Sequence, residues 1–126
     1  MEKIYSKEQL EALTEAKEKK DLDKKVKLKN GHIIFEAELG RELFGSTRQA
    51  YAVYYDNTKT ILFAPDTDQV FKSAHDVIML FIKTKNLKGD LSISIQEFMA
   101  DFDINQEERY LEFLWAPGLT MIHITL

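Results

Sequence analysis

Cations on alternate residues are the chemistry this chain offers most openly. Lys24, Lys25, Lys27 and Lys29 crowd ahead of an Asn30-Gly31 dipeptide, and Lys83, Lys85 and Lys88 crowd ahead of Gly89. Spaced by two along an extended strand, such side chains project to one side of a sheet. A row of ammonium groups there can neutralise the phosphates of a nucleic-acid backbone. Lysine lacks the forked donor geometry with which arginine reads guanine, so binding built on it is driven by shape and charge. The same lysines also suit a second role, as charged guards on the solvent side of half-buried strands that keep sheet edges from pairing with other chains.

Other chemistries find less material. His32, His75 and His123 lie far apart and lack the spacing of a metal motif. His123 alternates with Ile122 and Ile124, as a surface or hydrogen-bonded histidine of a strand does. Cysteine is absent, which excludes disulfides, thiolate catalysis and cysteine-based zinc sites together. There is no Gly-x-Ser-x-Gly elbow and no glycine-rich phosphate loop. Asp101, Asp103, Glu107, Glu108 and Glu112 form an acidic stretch without the ligand order of a calcium loop. We therefore expect no enzyme, no cofactor, no metal and no small-molecule substrate. A carboxylate pair assembled by folding is the acid–base arrangement that one sequence leaves open.

A chain of 126 residues, 44% hydrophobic and 30% charged, suits one ordinary domain or two very small units sharing a core. Its net charge of -4 opposes strong non-specific attraction to nucleic acid, leaving a local basic patch as the route to binding. No run approaches the roughly 20 apolar residues needed to cross a bilayer, and no apolar signal segment follows Met1-Glu2-Lys3. The expectation is a soluble, cytoplasmic protein.

The elements that must position the lysines follow from periodicity. Ser6 and Gln9 have capping-box spacing, and Leu10, Leu13 and Ala16 recur at helical intervals, predicting a helix from about Lys7 to Lys20. From Val26 the period becomes two, and Asn30-Gly31 tolerates positive φ, so a hairpin is expected up to Phe35. Glu38 to Phe44, closed by Gly45, reads as a short helix with Leu39, Leu43 and Phe44 inward. Tyr51 to Tyr55 and Thr60 to Phe63 read as a second hairpin. Pro65 ends it, and Asp66-Thr67-Asp68 caps a helix predicted over about 67–81 with Val70, Phe71, Ala74, Val77, Ile78 and Phe81 as its apolar positions. Further on come a short helix with Glu97, Phe98 and Phe102, strands over Tyr110 to Trp115 and Met121 to Ile124, and a turn at Ala116-Pro117-Gly118. Alternation sets Tyr54 and Phe113 opposite to Tyr55 and Leu114, one set for a core and the other for a subunit interface.

The second half echoes the first. Gly31 to Gly89 is an offset of 58 and Tyr51 to Tyr110 one of 59, so little drift accumulates between two anchors. A strand, a glycine turn, a strand, a short helix and a second hairpin form an order that resembles the swapped-hairpin domain of the AbrB, MazE and MraZ superfamily, and the two-copy layout resembles MraZ. Gly31-His32-Ile33-Ile34-Phe35-Glu36-Ala37-Glu38-Leu39 is similar to that superfamily's Gly-Arg-Ile-x-Ile-Pro-x-x-Leu pattern, and Gly89-Asp90-Leu91-Ser92-Ile93-Ser94 to its beginning. Leu62-Phe63-Ala64-Pro65 resembles the strand that leaves the first copy. The likeness covers roughly Val26 to Leu126. It departs where an Asp-x-x-x-Arg motif is expected, since those positions hold Leu28 and His32 in one copy and Asn86 and Asp90 in the other. Asp90 repels phosphate where a cation is expected. The expected proline is replaced by Glu36 and Ser94.

Together these readings predict an α+β fold of duplicated β-hairpin units forming one intimately paired sheet or barrel. Residues 1–25 form an N-terminal helix and connector, and 26–126 a single domain of two repeats, about 26–65 and 82–126, joined by the helix at about 67–81. The resemblance implies a non-enzymatic, homo-oligomeric DNA-binding regulator, with Lys27, Lys29, His32, Arg41, Lys85 and Lys88 touching phosphate. The alternative is an interaction or assembly module on the same fold without DNA binding. A third reading, a small-ligand-binding β domain, requires a roomy apolar pocket.

Overall fold

Asn30 and Gly31 adopt φ of 51° and 76°, the two left-handed residues that a type I′ turn demands, and lock Lys29 opposite His32. That hairpin opens a computed structural model describing residues 24–116 and 119–126. The expected helix from Lys7 to Lys20, and Pro117 and Gly118 of the final turn, lie outside the described residues. In chain order the elements are β1 (Val26–Lys29), β2 (His32–Phe35), α1 (Ala37–Phe44), β3 (Gln49–Tyr55), β4 (Thr60–Pro65), α2 (Gln69–Ala74), β5 (Ile78–Thr84), β6 (Leu91–Ser94), α3 (Gln96–Asp101), β7 (Arg109–Tyr110), β8 (Glu112–Leu114) and β9 (Ile122–Thr125).

All pairings are antiparallel, in the order β7-β1-β2-β6-β5-β3-β4-β9-β8. Two segments change partners midway. Within β5, Ile78 to Phe81 pair with β3 and Ile82 to Thr84 pair with β6. The segment 109–114 does the same around Leu111. Its first two residues pair with β1 and its last three with β9, while the Leu111 N–H donates to the Val26 carbonyl at 2.8 Å. The two outer strands of the sheet are therefore neighbours in the chain, and the sheet is nearly closed into a barrel. The coarse α+β expectation holds, as a nine-stranded sheet with three short helices among the described residues.

Alternation along each strand fills the interior. Val26, Leu28, Ile33, Phe35, Ile61, Phe63, Ile93, Ile122 and Ile124 are fully buried. Phe35 is the hub, meeting Phe44 and Phe63 edge-to-face at centroid separations of 5.3 and 5.7 Å. As expected, α1 turns Leu39, Leu43 and Phe44 inward, Tyr54 is buried and Tyr55 exposed, and Phe113 packs on the core while Leu114 faces out. A second apolar layer of Tyr51, Val53, Leu62 and Ala64 lies on the outside of β3 and β4 beneath Phe71 of α2.

The helix expected over 67–81 is a correction. Asp68 caps α2 by accepting from the Phe71 N–H at 3.0 Å, but the helix ends at Ala74, and Ile78–Thr84 is strand β5. Val77 to Ile82 is one unbroken apolar run, which a helix and a strand can both accommodate. Pairing with β3 and β6 decides the matter, because this segment supplies the link between them.

Phe35→Ala is expected to lower the unfolding free energy by about 3–5 kcal/mol. Urea denaturation followed by circular dichroism checks it, the midpoint falling while the folded spectrum is kept.

Candidate nucleic-acid interface

Because Val26 and Leu28 must face the core, Lys27 and Lys29 face outward from β1. The register carries this face across the sheet: Tyr110, Lys27, Ile34, Ser92 and Lys83 stand in one transverse row over β7, β1, β2, β6 and β5. At the end of β5 the chain turns through 85–90, with Gly89 at φ 95°. Asp90 anchors this turn to α1. Its Oδ1 accepts from the Ala37 N–H and its Oδ2 from Asn86 Nδ2, both at 3.0 Å, while the Asp90 N–H donates to Asn86 Oδ1 at 3.2 Å. Glu36 caps the same helix from within, accepting from the Leu39 N–H at 3.1 Å.

The outcome is a groove of about 260 Å³ lined by Lys24, Lys25, Lys27, Lys29, Lys85 and Lys88. The two lysine clusters of the sequence thus meet, all but Lys83 lining the groove. Ile34 forms part of its floor, Glu36 and Asp90 line it too, and Tyr110 stands at one edge. Lys24 and Lys27 place their Nζ atoms 5.8 and 5.3 Å from the Tyr110 ring centroid, within cation–π range. Asp90, expected to repel a phosphate, has both carboxylate oxygens committed to hydrogen bonds, and its charge faces the positive end of the α1 dipole.

One carboxylate already exploits the local field. Glu108 lies 3.0 Å from Lys27 Nζ. The hydrogen bond from Lys27, then the charges of Lys27, Lys29 and Lys85, hold the Glu108 carboxyl below its ordinary 4.5. Reciprocally, the hydrogen bond to Glu108 raises the Lys27 ammonium above its ordinary 10.5. Both side chains are solvent-accessible, so the pair is an electrostatic probe of the groove more than a support of the fold.

Of the residues expected to touch phosphate, Lys27, Lys29, Lys85 and Lys88 share the groove. His32 projects from the same face as Lys29, opposite it in register, and its Nδ1 lies 3.3 Å from Ser92 Oγ. Arg41 is exposed on α1 and does not line the groove. The sequence marks Tyr110 as a repeat anchor and a strand residue but not as part of the site, because its place as the outward partner of Lys27 depends on a strand pairing across more than eighty residues. Sequence reasoning passed over Arg48, which sits with Lys83 in a second cleft between the α1–β3 loop and β5. Among the described residues no group of three or more His, Asp and Glu could hold a metal ion, and no helix is long and apolar enough to cross a membrane. No family model, curated protein or solved structure matches the chain.

The sign of the pH dependence follows from the two shifts. A depressed Glu108 makes the pair's contribution present above 4.5 and lost as pH falls through the folded value; a raised Lys27 makes it present below 10.5 and lost as pH rises through the folded value. In an NMR titration Glu108 should show a midpoint below 4.5, and Lys27→Met should move it upward. An unmoved midpoint would separate Glu108 from the lysines.

Proposed function

We propose that the protein is a non-enzymatic, cytoplasmic, DNA-binding regulator that holds the phosphate backbone in the lysine groove. The observation that carries this reading is the convergence of six lysines on one concavity in a chain of net charge -4. An overall acidic protein repels nucleic acid from most of its surface, so a concentrated basic groove confines attachment to one face. Lys27, Lys29, Lys85 and Lys88 are its phosphate contacts, with His32 on the adjoining surface. Arg41 approaches phosphate only if the ligand reaches α1.

We further propose that the fold is of the AbrB, MazE and MraZ kind. Pairing supports it: β1–β2 and β5–β6 are hairpins that meet through β2 and β6, and β3–β4 and β8–β9 are hairpins that meet through β4 and β9. A duplicated unit related by a two-fold axis gives this pattern. The departures at His32 and Asp90 suit a member that attaches by charge rather than by reading bases.

A second reading rests on a separate observation. Met79 and Phe81 project from one side of β5, 46% and 67% exposed. Two large apolar side chains on one strand face suit a contact between subunits, consistent with a homo-oligomeric assembly module.

Retention on a DNA column should fall steeply with salt, and Lys27→Glu with Lys85→Glu should abolish it; absence of retention at low ionic strength would sink the regulator. For the assembly module, light scattering should give a multiple of the 14.7 kDa chain that Phe81→Lys reduces to one copy.

A further inference from the structure

The carboxylate of Glu108 stands at the Tyr110 edge of the lysine groove, 3.0 Å from Lys27 Nζ. The segment that carries it is held on both sides. Arg109 Nη1 donates to the Asn105 carbonyl at 3.0 Å and to the Glu107 carbonyl at 2.7 Å, and the Glu107 N–H donates to Asn105 Oδ1 at 3.0 Å. Beyond Glu108, Arg109 and Tyr110 pair with Leu28 and Lys27 of β1. The backbone is thus restrained while the Glu108 side chain stays exposed. Besides Lys27, the charges of Lys29 and Lys85 favour its ionised form, so three lysines of the groove act on this one carboxylate.

Two other carboxylates line the groove, and they differ in kind. Glu36 and Asp90 accept from N–H groups of the first turn of α1, and Asp90 accepts from Asn86 as well, so helix capping accounts for their place. Glu108 lies at no helix end. Its pair with Lys27 is solvent-exposed, and such pairs contribute little to stability. What the contact does control is the availability of Lys27. A phosphate approaching that ammonium meets Glu108 both as a rival acceptor and as a like charge.

We infer that Glu108 is a resident competitor of the phosphate backbone: it occupies the Lys27 ammonium in the free protein and is displaced when nucleic acid enters the groove. The inference rests on the DNA-binding reading. Displacement requires only the rotation of one exposed side chain, since Arg109 holds the loop backbone in place. The contact sets a threshold. A ligand that meets Lys27 alone gains little by exchanging one anion for another, whereas a backbone that also reaches Lys29, Lys85 and Lys88 offsets the exchange over several contacts.

The test measures the affinity of the full chain for a short fluorescent DNA duplex across a salt series. Glu108→Gln keeps the size of the side chain and removes its charge, and should tighten binding about two- to fivefold, the factor that an exposed ion pair withholds. Two comparisons separate competition at Lys27 from a general loss of negative charge. Glu107→Gln makes the same change of net charge on the neighbouring residue and should tighten binding far less. In a Lys27→Met background, measured at low salt where the remaining lysines hold the duplex, Glu108→Gln should lose most of its effect, because the contested ammonium is gone. Circular dichroism should show every variant folded. Unaltered affinity in Glu108→Gln, an equal gain from Glu107→Gln, or a gain that persists in the Lys27→Met background each overturns the competition. If Lys27→Glu with Lys85→Glu still abolishes binding in that event, the DNA-binding reading survives alone. Absence of duplex binding at low salt by the wild type and Glu108→Gln alike removes both.

Discussion

A β-sheet must do something with the unpaired N–H and C=O groups of its outermost strands, and here one hexapeptide serves both margins. Residues 109–114 lie along β1 and then along β9, bending at a single buried leucine, Leu111. The rest of the fold depends on this bend. It stabilises the position of β1, whose inward Val26 and Leu28 complete the core and whose outward lysines line the groove. It also brings Glu108 to Lys27, because the loop that delivers the hexapeptide ends there. Edge protection, core completion and the electrostatics of the groove are three results of one change of partner.

Concentrating like charges opposes folding, and the arrangement around the groove shows how the opposition is limited. Lysine side chains are long and solvated, so their mutual repulsion is screened within about a Debye length of roughly 8–10 Å. Carboxylates placed for other reasons reduce it further. Glu36 and Asp90 bind the first N–H groups of α1, and Glu108 accepts from Lys27. The groove therefore keeps a positive balance that the overall composition conceals.

Local signals made much of the fold legible. Asn30-Gly31 specifies its turn because few other dipeptides tolerate two left-handed residues, and the strict alternation on either side then assigns Lys27 and Lys29 to the outer face. The inward stripe of α1 and the β3–β4 hairpin were equally readable. The Val77 to Ile82 run was not, because an unbroken apolar stretch carries no period, and only its two sheet partners reveal a strand. The same limit applies to the site. Lysines clustered in sequence could be found, whereas Tyr110 and Arg48 reach their places through pairings that link distant segments, and no spacing along the chain encodes those.

The pairing of β2 with β6 and of β4 with β9 joins residues about sixty positions apart, and β1 waits for β7 across a still longer interval. High contact order of this kind places folding in the millisecond-to-second regime. During synthesis the first two hairpins would emerge with bare margins, and the lysines of β1 would then shield a nascent strand from its neighbours on other ribosomes before they ever meet a ligand.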